Sequence, residues 1–383
     1  MINFFKKQPN IKSLLLNKIY ILNISLPTLI FGFFFLSKYY DTSVNYMLVA
    51  SLSLFLSFSL SGNFRQTLVA DNNIEKCKKV LGARIIKAIV IFILSFLAAK
   101  FIFNINNISI ILLGSLTPIL IWINEINLII LEIKKDFKNI FFKFLFSYVS
   151  LFLLFICFFF LKYDLIFILS IVFIVIFFFQ NFDFDLDYKY LEINRFRLVF
   201  GFNYISSICL NLSSFLFKYQ INYFLEKKNT AFLFFCITIG SSLATITFNS
   251  IGPKDFNENT KFTLKFIFLL FLYIAACILI YILQSKGIIF EDFISFADYV
   301  LVLSALGGLI FTISYIYRQN ILSKIKYRKR AFLLDIIFAI FVVVSVPILY
   351  FLNKDYINYS YLITSIFSFL IFYFYYNFAI KKR

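Results

Sequence analysis

The sequence predicts an all-α polytopic membrane protein with about 12 transmembrane helices. Two observations predict this class: hydrophobic residues occupy 62% of the 383 positions, and charged residues only 15%. A helix needs about 20 apolar residues to cross roughly 30 Å of hydrocarbon, and blocks of this kind follow one another along nearly the whole chain. Little sequence remains for a soluble domain, so we expect function within the helix bundle or on its short loops.

Short polar loops separate the predicted spans. In chain order the spans cover residues 19–37, 44–62, 85–103, 108–126, 140–161, 165–180, 199–217, 231–250, 264–283, 299–317, 331–352 and 357–379. Basic loops tend to remain on the cytoplasmic side of a membrane. With the N-terminus placed inside, about three quarters of the Lys and Arg residues fall on that face. The pattern predicts an even number of spans with both termini cytoplasmic.

Composition excludes several classes of chemistry. The net charge of +18 is explained by this topology and by attraction to anionic lipid head groups, so no nucleic-acid partner is needed. The sequence has no His, which excludes imidazole relays and Ser-His triads. Its five Cys stand singly without CxxC spacing, so we predict no metal site and no cofactor. Direct use of ATP is not expected, because no P-loop motif occurs.

The chain contains a weak internal duplication with a period of about 190 residues. Residues 134–138 lead into an apolar span that ends at 162–164, and residues 326–330 lead into one that ends at 353–355. Six spans in each half predict two six-helix bundles related by a parallel pseudo-two-fold axis. We assign 1–182 to the N-terminal bundle, 183–198 to a cytoplasmic amphipathic linker and 199–383 to the C-terminal bundle.

The seventh span carries the clearest polar pattern. Its polar residues are 4, 4, 3 and 4 positions apart, which places them on one helix face: Asn203, Ser207, Asn211, Ser214 and Lys218. Amide and ammonium groups are costly in hydrocarbon, so this face is expected to line a cavity that holds substrate, with Lys218 facing an anionic group. The alternative is hydrogen bonding between helices, with Lys218 extending to the outer interface.

Two further spans offer polar positions for a cavity. The eighth span has Thr245 and Asn249 on one face with Thr238 and either Ser241 or Ser242, and close helix packing explains this pattern about equally well. In the first span, Asn23 and Thr28 flank Pro27. Proline frees a backbone carbonyl and can kink a helix, so Pro27 is a candidate gate element.

Three ionisable residues enter spans from the cytoplasmic side: Glu125, Lys143 and Asp335. Each lies near a predicted boundary, so its side chain is expected to reach the interface. Glu125 is the best exception, because Asn124 and Asn127 accompany it and Trp122 precedes it. We therefore hypothesise that Glu125 contributes to a cytoplasmic gate or to a site for a coupling ion.

The linker contains Asp183, Asp185 and Asp187, a spacing that many glycosyltransferases use to hold a metal-bound nucleotide sugar. Such a site needs a folded nucleotide-binding domain, and the linker is too short to form one. Strict alternation favours a segment that lies on the membrane surface. Near the start of the chain, Lys6 and Lys7 precede a span without a small-residue cleavage site close behind it, so no cleaved signal is expected.

Residues 196–252 carry a resemblance to a known family. Lys218 stands where that family has Arg, Phe217 replaces its Asp, and residues 223–225 match the Tyr-Phe-Leu of its following turn, with 226–228 in place of Gly-Pro-Glu. With the order of spans and loops, this segment resembles the multidrug/oligosaccharidyl-lipid/polysaccharide exporter superfamily, in particular its Wzx-type polysaccharide flippases. The resemblance covers most of the chain as a pattern.

The resemblance implies a transporter of the bacterial cytoplasmic (inner) membrane. It would flip an anionic, polyprenyl-phosphate-linked glycan by alternating access, in contact with membrane lipids and in association with polysaccharide assembly proteins. One alternative is a cation-coupled drug exporter, which usually needs an acidic residue deep in a span. Another is a membrane enzyme such as a polysaccharide polymerase, which typically has a long outer loop. The sequence identifies no coupling ion.

Overall fold

The computed structural model describes residues 40–61, 73–134, 202–250, 294–323 and 325–381, with a few isolated positions between 274 and 286. These residues form eight α-helices. In chain order they are α1 Tyr40–Ser61, α2 Ile74–Phe101, α3 Ile108–Ile133, α4 Phe202–Phe224, α5 Lys227–Ser250, α6 Ile294–Ser323, α7 Arg328–Leu352 and α8 Ser360–Tyr375. Short 3₁₀ turns, Ile325–Tyr327 and Lys354–Tyr359, flank α7, and a π turn, Tyr376–Lys381, follows α8.

Local signals set several of these boundaries. The Asn73 side chain accepts a hydrogen bond from the Lys76 amide at 3.0 Å and caps α2. The Asn107 side chain accepts one from the Ser109 amide at 3.1 Å at the start of α3. Between these helices, Asn104 adopts a positive φ of 54°, a conformation that Asn tolerates better than most residues. A tight turn can therefore reverse the chain between α2 and α3.

Six segments of the described residues are long and apolar enough to cross a membrane. They are Tyr40–Ser59, Ile74–Phe101, Ile108–Leu131, Tyr299–Leu322, Lys329–Leu352 and Lys354–Phe378. Each overlaps a span predicted from the sequence. The predicted spans 199–217 and 231–250 correspond to α4 and α5, while 19–37, 140–161, 165–180 and 264–283 lie largely or wholly outside the described residues.

The chain divides into two compact units. The first comprises Met1–Phe34 with Asn45–Asn211, and the second comprises Phe35–Val44 with Leu212–Arg383. Among the described helices, α2, α3, most of α1 and the start of α4 belong to the first unit. The rest of α4, α5 to α8 and the first turn of α1 belong to the second.

Small residues let the helices of the first unit approach closely. A Cβ added at Gly114 of α3 would lie 2.9 Å from the Val49 Cβ of α1. The Ser53 hydroxyl of α1 donates to the Ser95 hydroxyl of α2 at 2.9 Å. Trp122 of α3 packs into a buried cluster that includes Cys77 and Leu81 of α2. Helices α1, α2 and α3 therefore form one packed group.

In the second unit, α6 packs between α5 and α8. A Cβ added at Gly308 of α6 would overlap the Gly240 carbonyl of α5, and one added at Gly240 would overlap the Ser304 carbonyl. Small residues allow backbones to approach this closely, which is how helices associate in lipid without a hydrophobic driving force. Gly240 thus serves the close packing of α5 against α6.

Two contacts show which turns of the second unit lie at the same end of its helices. Lys354 Nζ lies 3.7 Å from Glu226 Oε1, and the ring of Phe224 stacks on that of Tyr350 with centroids 4.4 Å apart. The α4–α5 turn and the α7–α8 turn therefore lie together. In the predicted topology these two turns follow the seventh and the eleventh spans, so they are expected on the same membrane face. Which face is cytoplasmic stays a prediction.

Candidate functional site: a polar helix face and two buried ion pairs

The polar residues of the seventh span lie on α4. The Asn211 amide donates to the Ser207 carbonyl at 2.7 Å and to its hydroxyl at 3.3 Å. Ser207 and Asn211 are half-buried and Ser214 is exposed, whereas Ser206 and Ser213 are buried. The predicted stripe is thus on the side of α4 away from its buried serines. Asn203 lies in the helix, but its side chain is outside the described residues.

Lys218 continues this face of α4 into the second unit. Its side chain is half-buried, next to the buried Phe217. Within the part of the chain that the structure describes, no carboxylate lies within ion-pair distance of Lys218. An uncompensated ammonium group on a partly covered helix face can bind an anion.

The remaining cavity candidates are only partly described. Asn23 and Pro27 lie outside the described residues, and Thr245 and Asn249 lie in α5 with undescribed side chains. Earlier on the same helix, the Thr238 hydroxyl donates to the Phe234 carbonyl at 2.6 Å, and the Ser241 hydroxyl donates to the Thr238 carbonyl at 3.1 Å. These two hydroxyl groups are satisfied by their own helix.

Glu125 is buried in the first unit and paired with Arg84. Arg84 NH1 lies 2.7 Å from Glu125 Oε2, with the two side chains 3% and 11% exposed. The same NH1 donates to the Trp122 carbonyl, and Arg84 Cζ lies 4.8 Å from the centre of the Trp122 ring. Helix packing therefore keeps the Glu125 carboxylate next to a buried cation, and its role at a gate or coupling-ion site stays a prediction.

Asp335 is likewise buried, in the second unit. Arg318 Nε and NH2 donate to Asp335 Oδ1 and Oδ2 at 2.7 and 2.8 Å. Asp335 is 1% exposed, so its carboxylate is covered by protein. The remaining residue of that group, Lys143, lies outside the described residues.

The two ion pairs differ in how completely they are satisfied. Arg318 presents two parallel donors to Asp335, the arrangement that fits a carboxylate best. Arg84 uses one nitrogen for Glu125, and its Nε is buried without a hydrogen-bond partner among the described residues. The Trp122 indole nitrogen is also buried without a partner there. Arg84 and its neighbour Trp122 therefore have donors that are not used.

Sequence reasoning missed Arg84 and Arg318 as partners and counted both as topology signals. For Arg84 a signal did exist, because it lies in register with the buried residues Cys77, Leu81, Ala88 and Ile91 of α2. Among the described residues, no three His, Cys, Asp or Glu come together in a way that could hold a metal ion.

The long apolar helices and their packing define a multi-pass membrane protein. No protein-family model matches the sequence, and no curated protein is significantly similar to it. The fold, in contrast, has solved counterparts, and these are MATE family transporters of the MOP superfamily.

An inward-facing multidrug resistance MATE transporter aligns with a TM-score of 0.56 and 14% identity, over 97% of this chain and 95% of that one. An outward-facing structure aligns with a TM-score of 0.52 and 13% identity, over 96% of each chain. A MOP superfamily transporter from Pyrococcus furiosus, described as having a binding pocket of reverse polarity, gives 0.51 and 14%, over 96% and 97%. The chain therefore has the MATE-like transporter fold.

Proposed function

We propose that this protein is a transporter that moves an anionic, lipid-linked oligosaccharide across the bacterial cytoplasmic membrane by alternating access. The observation that carries the proposal is Lys218, a half-buried cation without a carboxylate partner among the described residues. Ser207 and Asn211 lie on the same face of α4 and can hydrogen-bond sugar hydroxyls. The cation would hold the phosphate of the carrier lipid, and the polar face would contact the glycan.

The charges of the other buried groups support an anionic cargo. Glu125 and Asp335 are the only carboxylates among the buried residues that the structure describes, and each is neutralised by an arginine. Lys218 therefore leaves a net positive charge among these groups. A cationic substrate would be repelled by Lys218 and would find both carboxylates already occupied.

The reaction makes and breaks no covalent bond, so the protein needs only binding and a change of conformation. In the proposed cycle, the two bundles alternately open the site to each face of the membrane. The cycle draws on a membrane potential or an ion gradient. Proteins that build and polymerise the glycan are the proposed partners, because they supply the lipid-linked substrate and consume it.

A drug exporter is the second candidate, because two of the structural counterparts are multidrug resistance transporters. This candidate requires a buried acid that can bind a cation. Glu125 is the better choice, since Arg84 contacts it through one nitrogen whereas Arg318 holds Asp335 through two.

The test is transport in proteoliposomes that contain a fluorescent polyprenyl-pyrophosphate oligosaccharide. A membrane-impermeant glycosidase reports how much glycan has crossed the membrane. We expect wild-type protein and Lys218→Arg to move the lipid, and Lys218→Gln to slow it about tenfold or more through loss of one charge-assisted contact. Lys354→Gln is the matched control, since Lys354 is an exposed residue whose partner is Glu226.

Other results would favour the alternatives. Export of a cationic dye that depends on Glu125, without glycan movement, would support the drug exporter and overturn our proposal. In cells, deletion of the gene should strand complete glycan-lipid on the cytoplasmic leaflet. Unpolymerised repeat units on the outer face would instead indicate a polymerase.

A further inference from the structure

Arg84 has hydrogen-bonding capacity that the structure does not use. A guanidinium carries five N–H donors in a rigid plane, and this fork matches the oxygens of a phosphate group. In Arg84 one nitrogen, NH1, serves both Glu125 and the Trp122 carbonyl. Nε is buried and has no partner among the described residues, although an unsatisfied buried donor is costly.

Trp122 adds a second unused donor. Its side chain is fully buried, and its indole nitrogen lacks a hydrogen-bond partner within the described residues. Its ring lies under the Arg84 guanidinium, with Cζ 4.8 Å from the ring centre. Arg318 provides the contrast, because it uses two nitrogens on the two oxygens of Asp335.

The depth of Arg84 in the membrane suits a lipid phosphate. Helix α2 has 28 residues, about 42 Å at 1.5 Å per residue, which exceeds the roughly 30 Å hydrocarbon thickness. Its first turns carry the exposed residues Lys76 and Lys79. Arg84 lies about 7.5 Å further along the axis than Lys79, so it is expected near the level of the head groups.

We propose that Arg84 and the Trp122 indole N–H form a phosphate-binding subsite, which the Glu125 carboxylate occupies in this structure. A phosphate or pyrophosphate group on a lipid takes the place of Glu125 when it binds. The inference rests on the proposed function, since it assigns a second contact to the same anionic substrate. Arg84 is then a binding residue that pairs with Glu125 as long as no phosphate is bound.

Exchange of one anion for another avoids the main cost of opening a buried ion pair. Removing Glu125 alone would leave Arg84 buried and uncompensated, which is strongly destabilising. A phosphate oxygen restores the contact at NH1, and other oxygens of the same group can accept from NH2, at the same end of the guanidinium, and from the indole nitrogen.

Trp122 provides a probe for the test, because it is the only tryptophan among the 383 residues. Full-length protein in nanodiscs of neutral phosphatidylcholine is titrated with a polyprenyl pyrophosphate while tryptophan emission is recorded. We expect a saturable change in the wild type and none in Arg84→Gln. In Glu125→Gln the competing charge is absent, so half-saturation should occur at a concentration about tenfold lower.

Further variants keep the test decisive. Arg84→Gln with Glu125→Gln removes both charges and should not respond, although it buries no unpaired ion. If Glu125→Gln does not fold, Glu125→Asp shortens the carboxylate and should also tighten binding. Glu226→Gln makes the same chemical change at an exposed site in the other unit and should titrate like wild type.

The source of the phosphate is resolved by the choice of probe. An Arg84-dependent change with phosphatidylglycerol would assign the subsite to ordinary lipid head groups, and one with inorganic pyrophosphate would assign it to a soluble anion. Both would support phosphate binding at Arg84. An equal response in Arg84→Gln, or no response to any phosphate compound in wild type and Glu125→Gln, would overturn the subsite.

The subsite and the proposed function can fail separately. A wild-type protein that moves the glycan-lipid while Trp122 responds to no phosphate compound overturns only the subsite. A protein that moves no glycan-lipid, but whose Trp122 responds through Arg84, overturns only the function.

Discussion

Arg318 donates two parallel hydrogen bonds to Asp335, from Nε to Oδ1 at 2.7 Å and from NH2 to Oδ2 at 2.8 Å. The pair joins α6 to α7 across the short Ile325–Tyr327 turn. Arg318 and Glu125 are 193 positions apart in the sequence, close to the predicted repeat of about 190 residues. Each of these two charges is neutralised within its own unit.

We predict that Asp335→Asn destabilises the protein by about 3–5 kcal/mol, because it leaves the Arg318 charge buried without its counter-ion. Thermal unfolding in detergent measures the loss as a lower Tm. Arg318→Met combined with Asp335→Leu removes both charges and should recover most of that stability. An unchanged Tm for Asp335→Asn would show that the pair does not stabilise the fold.

Alanine substitutions at two neighbouring glycines of α6 should destabilise the protein to different extents. Gly308→Ala places a methyl group against the Gly240 backbone, whereas Gly307→Ala meets the Tyr361 ring, with Cδ1 at 2.9 Å. A ring can shift more easily than a helix backbone, so Gly308→Ala should cost more, about 1–3 kcal/mol from overpacking. Unfolding midpoints would contradict this geometry if Gly307→Ala were the more damaging change.

Cysteine accessibility should show what the polar face of α4 contacts. In a background without the five native cysteines, we expect a charged thiol reagent to label cysteines placed at Ser207, Asn211 and Lys218, because the proposed function places these positions on an aqueous cavity. Ser213, which is 4% exposed, should resist labelling. Ile205 is 40% exposed and serves as the control for a surface that contacts lipid.

If the charged reagent labelled none of the polar positions, the result would favour hydrogen bonding between helices instead. A lipid-soluble maleimide separates the two kinds of exposed surface, since it reaches a thiol in hydrocarbon that a charged reagent cannot reach. Equal labelling of Ile205 and Asn211 by the charged reagent would mean that the assay does not distinguish lipid from cavity.

The contact between Glu226 and Lys354 predicts a shared membrane face for the turns that carry them. Cysteines at these two positions should react with the same impermeant reagent from outside the cell and should be joined by a short bifunctional cross-linker. A cysteine at Arg330, at the opposite end of α7, should react only after the cells are opened. Labelling of Glu226 and Lys354 from different sides would contradict the contact between the two turns.

Hydropathy predicted the helices of the described regions well, because a span needs a long apolar block whatever it packs against. The predicted 108–126 falls within α3, and the predicted 331–352 ends where α7 ends. Polar caps such as Asn73 also fix a boundary through local hydrogen bonds.

The sequence could not show which face of a helix meets another helix. In a membrane both lipid and neighbouring helices accept Phe, Ile and Leu, so apolar periodicity does not separate them. Ser206 and Ser207 are adjacent, and only the three-dimensional packing shows that Ser206 is the buried one. The partners of Glu125 and Asp335 were missed for the same reason, since each pairing depends on two helices.

Mutual neutralisation of Arg318 and Asp335 has a consequence for how α6 sits in the bilayer. Helix α6 has 30 residues, about 45 Å at 1.5 Å per residue, so it exceeds the hydrocarbon thickness of about 30 Å and must tilt or protrude. A lone arginine or aspartate near its end would anchor the helix at one depth. Because the two charges lie together and are largely covered by protein, a helix of this length can carry Arg318 inside its last turns without presenting a bare charge to the hydrocarbon.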